Sequence, residues 1–199
     1  MQEDLFRNWP FAPHDPGSFG LIVADPPWSF DNWSAKGEKK NPKAHYSCMG
    51  LDAIKALPVA QLGARDCLLW LWATNPMLPQ AIETMESWGF QFKTAGTWIK
   101  TTKHGKLAFG TGYVLRSASE PFLIGRRGKP PQGAKNIRSA FLAEAREHSR
   151  KPDIAYEMAE RMAPAARRIE LFSRVERPGW ATWGDEVGKL ASATDGAAR

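Results

Sequence analysis

A short apolar run that stops at two consecutive prolines constrains this chain more than any other feature. Residues 21–24 read Leu-Ile-Val-Ala, and Asp25, Pro26, Pro27 and Trp28 follow directly. An apolar run bounded by turn residues is typical of a strand that is buried on both faces of a sheet. Proline has no N–H to donate to a strand ladder, so it ends such a strand. We therefore predict a buried strand that ends just before Asp25.

The position of Asp25 gives this residue a chemical meaning. In an open α/β sheet, ligands bind beyond the carboxyl ends of the strands, so we expect Asp25 to line a site. The Asp25 carboxylate and the Pro26 carbonyl are acceptors, and an exocyclic amino group is a matching donor. Trp28 offers a flat apolar face on which a base can stack. The alternative interpretation is an ordinary strand end followed by a core tryptophan, and four residues alone do not decide between the two.

The rest of the chain alternates between strand-like and helix-like patterns. Such alternation predicts an α/β fold in which helices flank a mostly parallel sheet. In the last predicted helix, Ile154, Met158 and Met162 form an apolar stripe that we expect to face the core. Strands are predicted at about 21–24, 67–73, 94–100, 120–125 and 167–173, and helices near 51–57, 76–88 and 152–163.

Length and composition favour one domain. The chain has 199 residues, of which 43% are hydrophobic, and this is enough for one sizeable core. We expect one domain over residues 1–190 and a disordered tail over 191–199. No secretory signal, disulfide framework or membrane-length apolar run is recognisable, so we expect a cytoplasmic location and no membrane. His45 and Cys48 are spaced like metal ligands, but the other histidines are scattered and we expect no metal site.

The charge indicates a polyanionic partner. The net charge is +6, from 27 basic and 21 acidic residues. Many of the basic residues lie in Gly- or Pro-containing stretches, which are predicted surface loops where phosphate contacts form easily. Taken singly, each is equally explained as solvated loop charge. Three groups favour a nucleic acid: Lys36, Lys39, Lys40 and Lys43; Lys100, Lys103 and Lys106; and Arg126, Arg127, Lys129, Lys135 and Arg138.

Several motifs together resemble one enzyme family. The segment from Val23 to Trp28 resembles the signature of amino-group methyltransferases that use S-adenosylmethionine. Over about residues 20–187, the chain is similar to the N(6)-adenine methyltransferase family that includes the catalytic subunit of the eukaryotic mRNA adenosine methyltransferase. It is most like the short bacterial and phage members that methylate DNA. The further matching blocks are 45–49, 69–74, 97–101, 149–153, 168–174, 178–180 and 183–186.

The resemblance implies a fold and an activity. The fold is a single Rossmann-like methyltransferase domain with a circularly permuted motif order, in which the catalytic strand comes first. The activity is methylation of the exocyclic amino group of adenine in nucleic acid, by direct in-line transfer from S-adenosylmethionine. DNA is favoured over RNA as the partner.

The resemblance also implies site residues. The motif places the catalytic role on Asp25, Pro26, Pro27 and Trp28. The cofactor is expected to contact Asp25, Lys151, Arg174, Asp185 and Glu186. The target nucleotide is expected to contact Tyr46, Lys100, Arg116 and Glu120.

Alternatives remain open at this stage. The substrate can be RNA, the protein can be a noncatalytic nucleic-acid-binding subunit, or the acceptor can be another amino group. The intact Asp25 and Trp28 argue against a noncatalytic subunit, and the basic loops argue against a non-nucleic-acid acceptor. The loop over about 101–119 is rich in glycine and basic residues, and we interpret it as a candidate lid or a plain connection.

Overall fold

The computed structural model describes residues 9–28, 49–112, 114–146 and 150–184. In this part of the chain, seven strands form one sheet that has helices on both faces. The strands are β1 (Phe19–Ala24), β2 (Gly63–Trp72), β3 (Gln91–Thr101), β4 (Ser119–Arg127), β5 (Ala140–Glu144), β6 (Arg168–Leu171) and β7 (Ala181–Trp183). The helices are α1 (Leu51–Ala56), α2 (Val59–Leu62), α3 (Leu78–Ser87) and α4 (Asp153–Met162), and a 3-10 turn at Asn75–Met77 precedes α3.

The strand order is β5-β3-β4-β2-β1-β6-β7. β4 is antiparallel to both of its neighbours, β2 and β3, whereas the other pairings are parallel. The predicted mostly parallel sheet is therefore confirmed, and within the described residues β4 alone is reversed. The carboxyl ends of the other six strands consequently meet the start of β4 at one edge of the sheet, which we call the carboxyl edge.

The position of β1 within the sheet explains its apolar sequence. Leu21 and Val23 point into the cluster that contains α4, whereas Ile22 and Ala24 point into the cluster that contains residues of α1, α2 and α3. Because both faces of β1 are covered, no position on it is available for a polar side chain. The continuous apolar run at 21–24 is therefore the expected pattern for this place in the sheet.

Two strands and one helix face differ from the prediction. β5 is an edge strand whose only buried side chain is Phe141, and β7 has just three residues, so neither has a recognisable apolar pattern. The predicted stripe on α4 is wrong at Ile154, which is 37% exposed. Ala155 and Ala159 pack against the sheet instead.

Some expectations are not tested by this structure. The circular permutation stays a prediction, and so do the outer bounds of the domain. The expected tail at 191–199 lies outside the described residues. Within the described ranges, no helix combines the length and the apolar character needed to cross a membrane.

Candidate active site

Asp25 lies at the carboxyl edge, in a turn that is fixed on both sides. Its N–H donates to the Leu171 carbonyl of β6 over 3.4 Å. Beyond the two prolines, the Trp28 N–H donates back to the Pro26 carbonyl over 2.7 Å. The Trp28 indole N–H donates to the Trp72 carbonyl at the end of β2, over 2.9 Å. The turn is thus anchored to both strands that flank β1.

This anchoring changes the roles predicted for two residues. The Pro26 carbonyl already accepts one hydrogen bond, so one of its two lone pairs remains for a ligand. Trp28 is only 4% exposed and belongs to the core cluster. The predicted stacking of a base on Trp28 is not supported by this arrangement, because the ring is covered and its N–H already has a partner. Trp28 is instead the core tryptophan of the alternative interpretation.

Lys151 links the Asp25 turn to β4. Its ammonium nitrogen lies 2.8 Å from Asp25 Oδ2 and 2.6 Å from Glu120 Oε1. The second oxygen of Glu120 lies 2.5 Å from the Lys100 nitrogen at the end of β3. The Lys151 ammonium also lies 5.2 Å from the centre of the Trp72 ring, within range of a cation–π contact. A chain of alternating charges therefore runs along the carboxyl edge from Asp25 to Lys100.

Burial and pairing oppose each other in this chain of charges. Burial by itself would lower the pKa of Lys151, but the carboxylates of Asp25 and Glu120 outweigh it and hold that pKa above its ordinary value. Burial would likewise raise the pKa of Glu120, yet Lys151 and Lys100 hold it below 4.5. Both side chains are therefore charged at neutral pH. They fix the position of the Asp25 carboxylate.

Some of the other predicted site residues lie near Asp25, and others do not or are not described. Lys100 and Glu120, both predicted to contact the target nucleotide, are paired with each other. Arg116 lies in the loop between β3 and β4, where its guanidinium is 5.3 Å from the centre of the Phe109 ring. Arg174 lines a cleft beside Asp25. Tyr46, Asp185 and Glu186 lie outside the described residues.

A second buried polar cluster lies at the end of β6. Glu170 is 7% exposed, and the Tyr156 hydroxyl of α4 donates to its Oε1 over 2.5 Å. Ser173 Oγ lies 3.0 Å from the other oxygen of Glu170. Burial raises the pKa of Glu170, although the Tyr156 and Ser173 hydroxyls oppose this. Burial, reinforced by the Glu170 charge, also raises the pKa of Tyr156, so its hydroxyl remains a donor.

A cleft opens between this cluster and Asp25. Phe172, which follows β6, has the left-handed backbone angle φ 63°, which is uncommon for a residue other than glycine. Gly184 lies against this segment so closely that a Cβ there would meet Ser173 N at 2.9 Å. Such strained and tight backbone is often found where a ligand binds. The cleft is lined by Asp25, Arg150, Lys151, Tyr156, Glu170, Phe172, Arg174, Val175 and Arg177.

Sequence reasoning missed three charged residues of this cleft. Arg150 and Arg177 were hidden because an isolated arginine in a loop is normally a surface charge. Glu170 had a detectable signal, because it interrupts the apolar stretch Ile169 to Leu171 of a central strand. A carboxylate at such a position is rarely buried without a specific partner.

Of the three basic groups, the first, at Lys36 to Lys43, lies outside the described residues, and the third lies away from the site. Arg126 and Arg127 end β4, and β4 is reversed, so they lie at the sheet edge opposite Asp25. The Arg127 guanidinium donates to the carbonyls of Ala60, Gly63 and Ala64, which makes it structural. Within the described residues, no cluster of three or more histidine, cysteine or acidic side chains could hold a metal ion.

Comparison with known proteins identifies the family of this chain. The family model of MT-A70 matches residues 19–186, which include every described residue of the cleft. The chain belongs to the MT-A70 family. Its α/β fold, a seven-stranded sheet flanked by helices, is consistent with an MT-A70 methyltransferase domain.

The MT-A70 relatives differ in how much of their length is matched. The type II methyltransferase M.MunI of Mycoplasma sp. is 32% identical over 187 residues, which cover 85% of this chain and 78% of M.MunI. The N(6)-adenosine-methyltransferase MT-A70-like protein of Arabidopsis thaliana is also 32% identical, over 90% of this chain but 25% of its own length. The human N(6)-adenosine-methyltransferase catalytic subunit METTL3 is 30% identical, over 86% of this chain and 28% of its own length.

The cleft can be tested against the cofactor of the family. MT-A70 methyltransferases generally use S-adenosylmethionine, whose methionine end carries a carboxylate and an ammonium group. The cleft has guanidinium groups for the carboxylate and two acidic side chains, Asp25 and Glu170, for the ammonium. The Nε atoms of Arg150 and Arg177 are buried and have no hydrogen-bond partner in the described part of the chain. The residues that line the cleft therefore fit S-adenosylmethionine.

Proposed function

We propose that this protein transfers a methyl group from S-adenosylmethionine to the exocyclic amino group of adenine in a nucleic acid, with DNA as the favoured substrate. One observation carries the proposal. The Asp25 carboxylate of the Asp-Pro-Pro-Trp turn is fixed at the carboxyl edge by the buried Lys151, in a chain of the MT-A70 family.

The turn supplies what an aromatic amine needs in order to react. The amine is a poor nucleophile because its lone pair is delocalised into the ring. Asp25 and the remaining lone pair of Pro26 O give two acceptors that hold the two amino hydrogens and leave the nitrogen lone pair free. The amino proton becomes acidic as the nitrogen gains positive charge, so it can leave to water and Asp25 need not be a strong base.

Different residues of the cleft are expected to bind different parts of the cofactor. S-adenosylmethionine, when bound, supplies a methyl group on a sulfonium centre. Lys151 was predicted to contact the cofactor, but its ammonium already contacts two carboxylates. We assign the methionine carboxylate to Arg150 and Arg174, which line the same cleft. Asp185 and Glu186 directly follow Gly184 in the sequence and retain their predicted contacts to the cofactor.

One comparison favours DNA, and the charge of the site favours a nucleic acid of either kind. M.MunI is matched over 78% of its length, whereas the two adenosine methyltransferases are matched over about a quarter of theirs, so this chain accounts for more of M.MunI than of those two enzymes. The carboxyl edge also has the basic residues Lys100, Lys103 and Lys106 at the end of β3 and just after it. Cationic side chains beside the site bind a phosphate backbone of either nucleic acid.

RNA is the second candidate, because the identities to M.MunI and to the Arabidopsis adenosine enzyme are both 32%. Identity therefore does not separate the two substrates. A noncatalytic subunit is disfavoured, since Asp25 and its lysine partner are both present and paired.

The test uses S-adenosylmethionine with a labelled methyl group and matched single- and double-stranded DNA and RNA. Nucleoside mass spectrometry of the product identifies the methylated base and the preferred substrate. The variant Asp25→Asn keeps the size of the side chain but removes the charge that pairs with Lys151. We expect it to lower the rate of adenine methylation by about a hundredfold or more, since misplacing one reacting group by about 1 Å can cost that much.

The matched control is Asp15→Asn, which removes an exposed carboxylate that precedes β1. It should methylate like the wild type. Transfer to a base other than adenine, or equal activity of Asp25→Asn and the wild type, would contradict the proposed function. Methylation of RNA alone would leave the chemistry intact and reject DNA as the substrate.

A further inference from the structure

Residues 102–112 and 114–118 form an arm at the carboxyl edge. They connect β3 to β4, and both of the strand ends that they join lie at the carboxyl edge. The pair between Lys100 and Glu120, with 2.5 Å between nitrogen and oxygen, closes the base of the arm. Since Glu120 also contacts Lys151, the arm is attached to the charges that hold Asp25.

Backbone hydrogen bonds shape the arm. The Thr102 N–H donates to the Lys106 carbonyl, and the Gly110 N–H donates to the Ser117 carbonyl, each over 2.8 Å. A Cβ on Gly110 would meet the Ser117 oxygen at 2.8 Å, and a Cβ on Gly112 would approach the Leu115 oxygen even more closely. Glycine is therefore required at both positions. The described residues of the arm therefore have a defined backbone arrangement.

The surface of the arm is apolar where solvent exposure is highest. Leu107 is 63% exposed, Phe109 80%, Val114 94% and Leu115 82%. We call these four residues the apolar tip. Single exposed apolar side chains are ordinary, but four on one short arm mark a surface that is covered in the working complex.

Charge identifies what covers the apolar tip. Lys103 and Lys106 are exposed on the arm, and the Arg116 guanidinium lies over the Phe109 ring. An apolar tip flanked by cations matches a nucleic acid, in which apolar base faces lie between phosphates.

We propose that the apolar tip enters the base stack of duplex DNA and fills the gap that the target adenine leaves when it turns into the site. An enzyme that acts on a base must first remove it from the stack, and apolar side chains inserted between base steps stabilise the opened duplex. This inference rests on the proposed function. It adds the form of the substrate, a paired duplex, and the residues that open it.

The test compares two duplex substrates. Both carry the sequence that the wild-type protein methylates in plasmid DNA, but one has an abasic site opposite the target adenine. The Val114→Ser, Leu115→Ser double variant should lose about tenfold or more of its methylation rate on the paired duplex, because unstacking costs a few kcal/mol. On the abasic duplex, where the target adenine is already unpaired, it should stay within about threefold of the wild type.

The control Leu142→Ser removes an apolar side chain that is 65% exposed on β5, outside the arm, and should behave like the wild type on both duplexes. Equal losses on the two substrates, or no loss, would overturn the proposal. So would a wild-type protein that methylates only single strands, which leaves the proposed function standing. A wild-type dimer that the double variant converts to a monomer would also overturn it, by showing that a second copy covers the tip. If the wild type methylates no nucleic acid, the proposed function itself fails.

Discussion

The ammonium group of Lys151 lies 2.8 Å from the Asp25 carboxylate, and the Lys151 side chain is only 6% exposed. Two distant parts of the chain, the turn after β1 and the segment before α4, therefore meet in one buried ion pair. Glu120 completes the arrangement from the start of β4. Removal of the lysine would take this counter-charge from Asp25 and leave Glu120 with Lys100 alone.

Lys151→Met should consequently unfold more easily than the wild type. Breaking a buried pair by removing one partner costs about 3–5 kcal/mol, because the remaining charge stays buried. Urea unfolding at pH 7 measures this loss. Lys129→Met removes an exposed lysine at the other end of the sheet and should change the free energy of unfolding by less than about 0.5 kcal/mol. A small effect at Lys151 would mean that the carboxylates find other partners.

Glu170→Gln should stabilise the protein at neutral pH. The pKa of Glu170 is raised above 4.5, chiefly by burial, so the folded state binds its proton more tightly than the unfolded chain does. The stability of the wild type should therefore fall as the pH rises from 4.5 through the folded pKa, whereas Gln has no proton to lose. Urea unfolding between pH 4.5 and 8 measures this difference. The free energy of unfolding of the variant, relative to that of the wild type, should increase as the pH rises. The reverse trend would mean that the Tyr156 and Ser173 hydroxyls favour the charged form more than burial opposes it.

Gly184→Ala should weaken cofactor binding as well as stability. The added methyl group would meet backbone atoms of Ser173 at 2.9 Å and of Phe172 at 3.0 Å, and backbone cannot move aside as a side chain does. Overpacking of this kind costs about 1–3 kcal/mol. Calorimetric titration with S-adenosylmethionine and thermal unfolding measure the two effects. At Gly50 an added methyl group has nothing within 4 Å, so Gly50→Ala should bind the cofactor normally.

Trp28→Phe separates a core role from a role in base recognition. The substitution removes the indole N–H that donates to Trp72 and leaves that buried carbonyl without this partner. We expect a loss of about 1–3 kcal/mol of stability and little change in the KM for the nucleic acid at a temperature where the variant is folded. A large rise in KM without loss of stability would restore the stacking role that the sequence indicated.

The sheet and the position of Asp25 could be predicted because they depend on local pattern. The apolar run of β1 is covered on both faces, and the prolines after it end the strand in any context. β5 and β7 could not be found this way. Edge strands with few buried side chains have no apolar periodicity, and their place is set by the strand beside them.

The partners of the charged residues could not be predicted for a different reason. Lys151 was expected to contact the cofactor, but contacts between distant segments depend on which strand ends are neighbours in the sheet. The reversal of β4 brings Glu120 beside Lys151. The direction of a strand cannot be predicted from its local sequence pattern. The same reversal moves Arg127 to the opposite edge.

Because β3 and β4 run in opposite directions, the chain leaves the carboxyl edge and returns to it without a crossover helix. A hairpin connection can be lengthened, shortened or exchanged while the strand register on either side of it is kept. The catalytic turn belongs to β1, and the charged residues that link it to this hairpin, Lys100 and Glu120, lie in the strands and not in the connection. Evolution or a protein engineer could therefore exchange the segment that meets the substrate as a cassette, and so obtain new sequence preferences from an unchanged chemical centre.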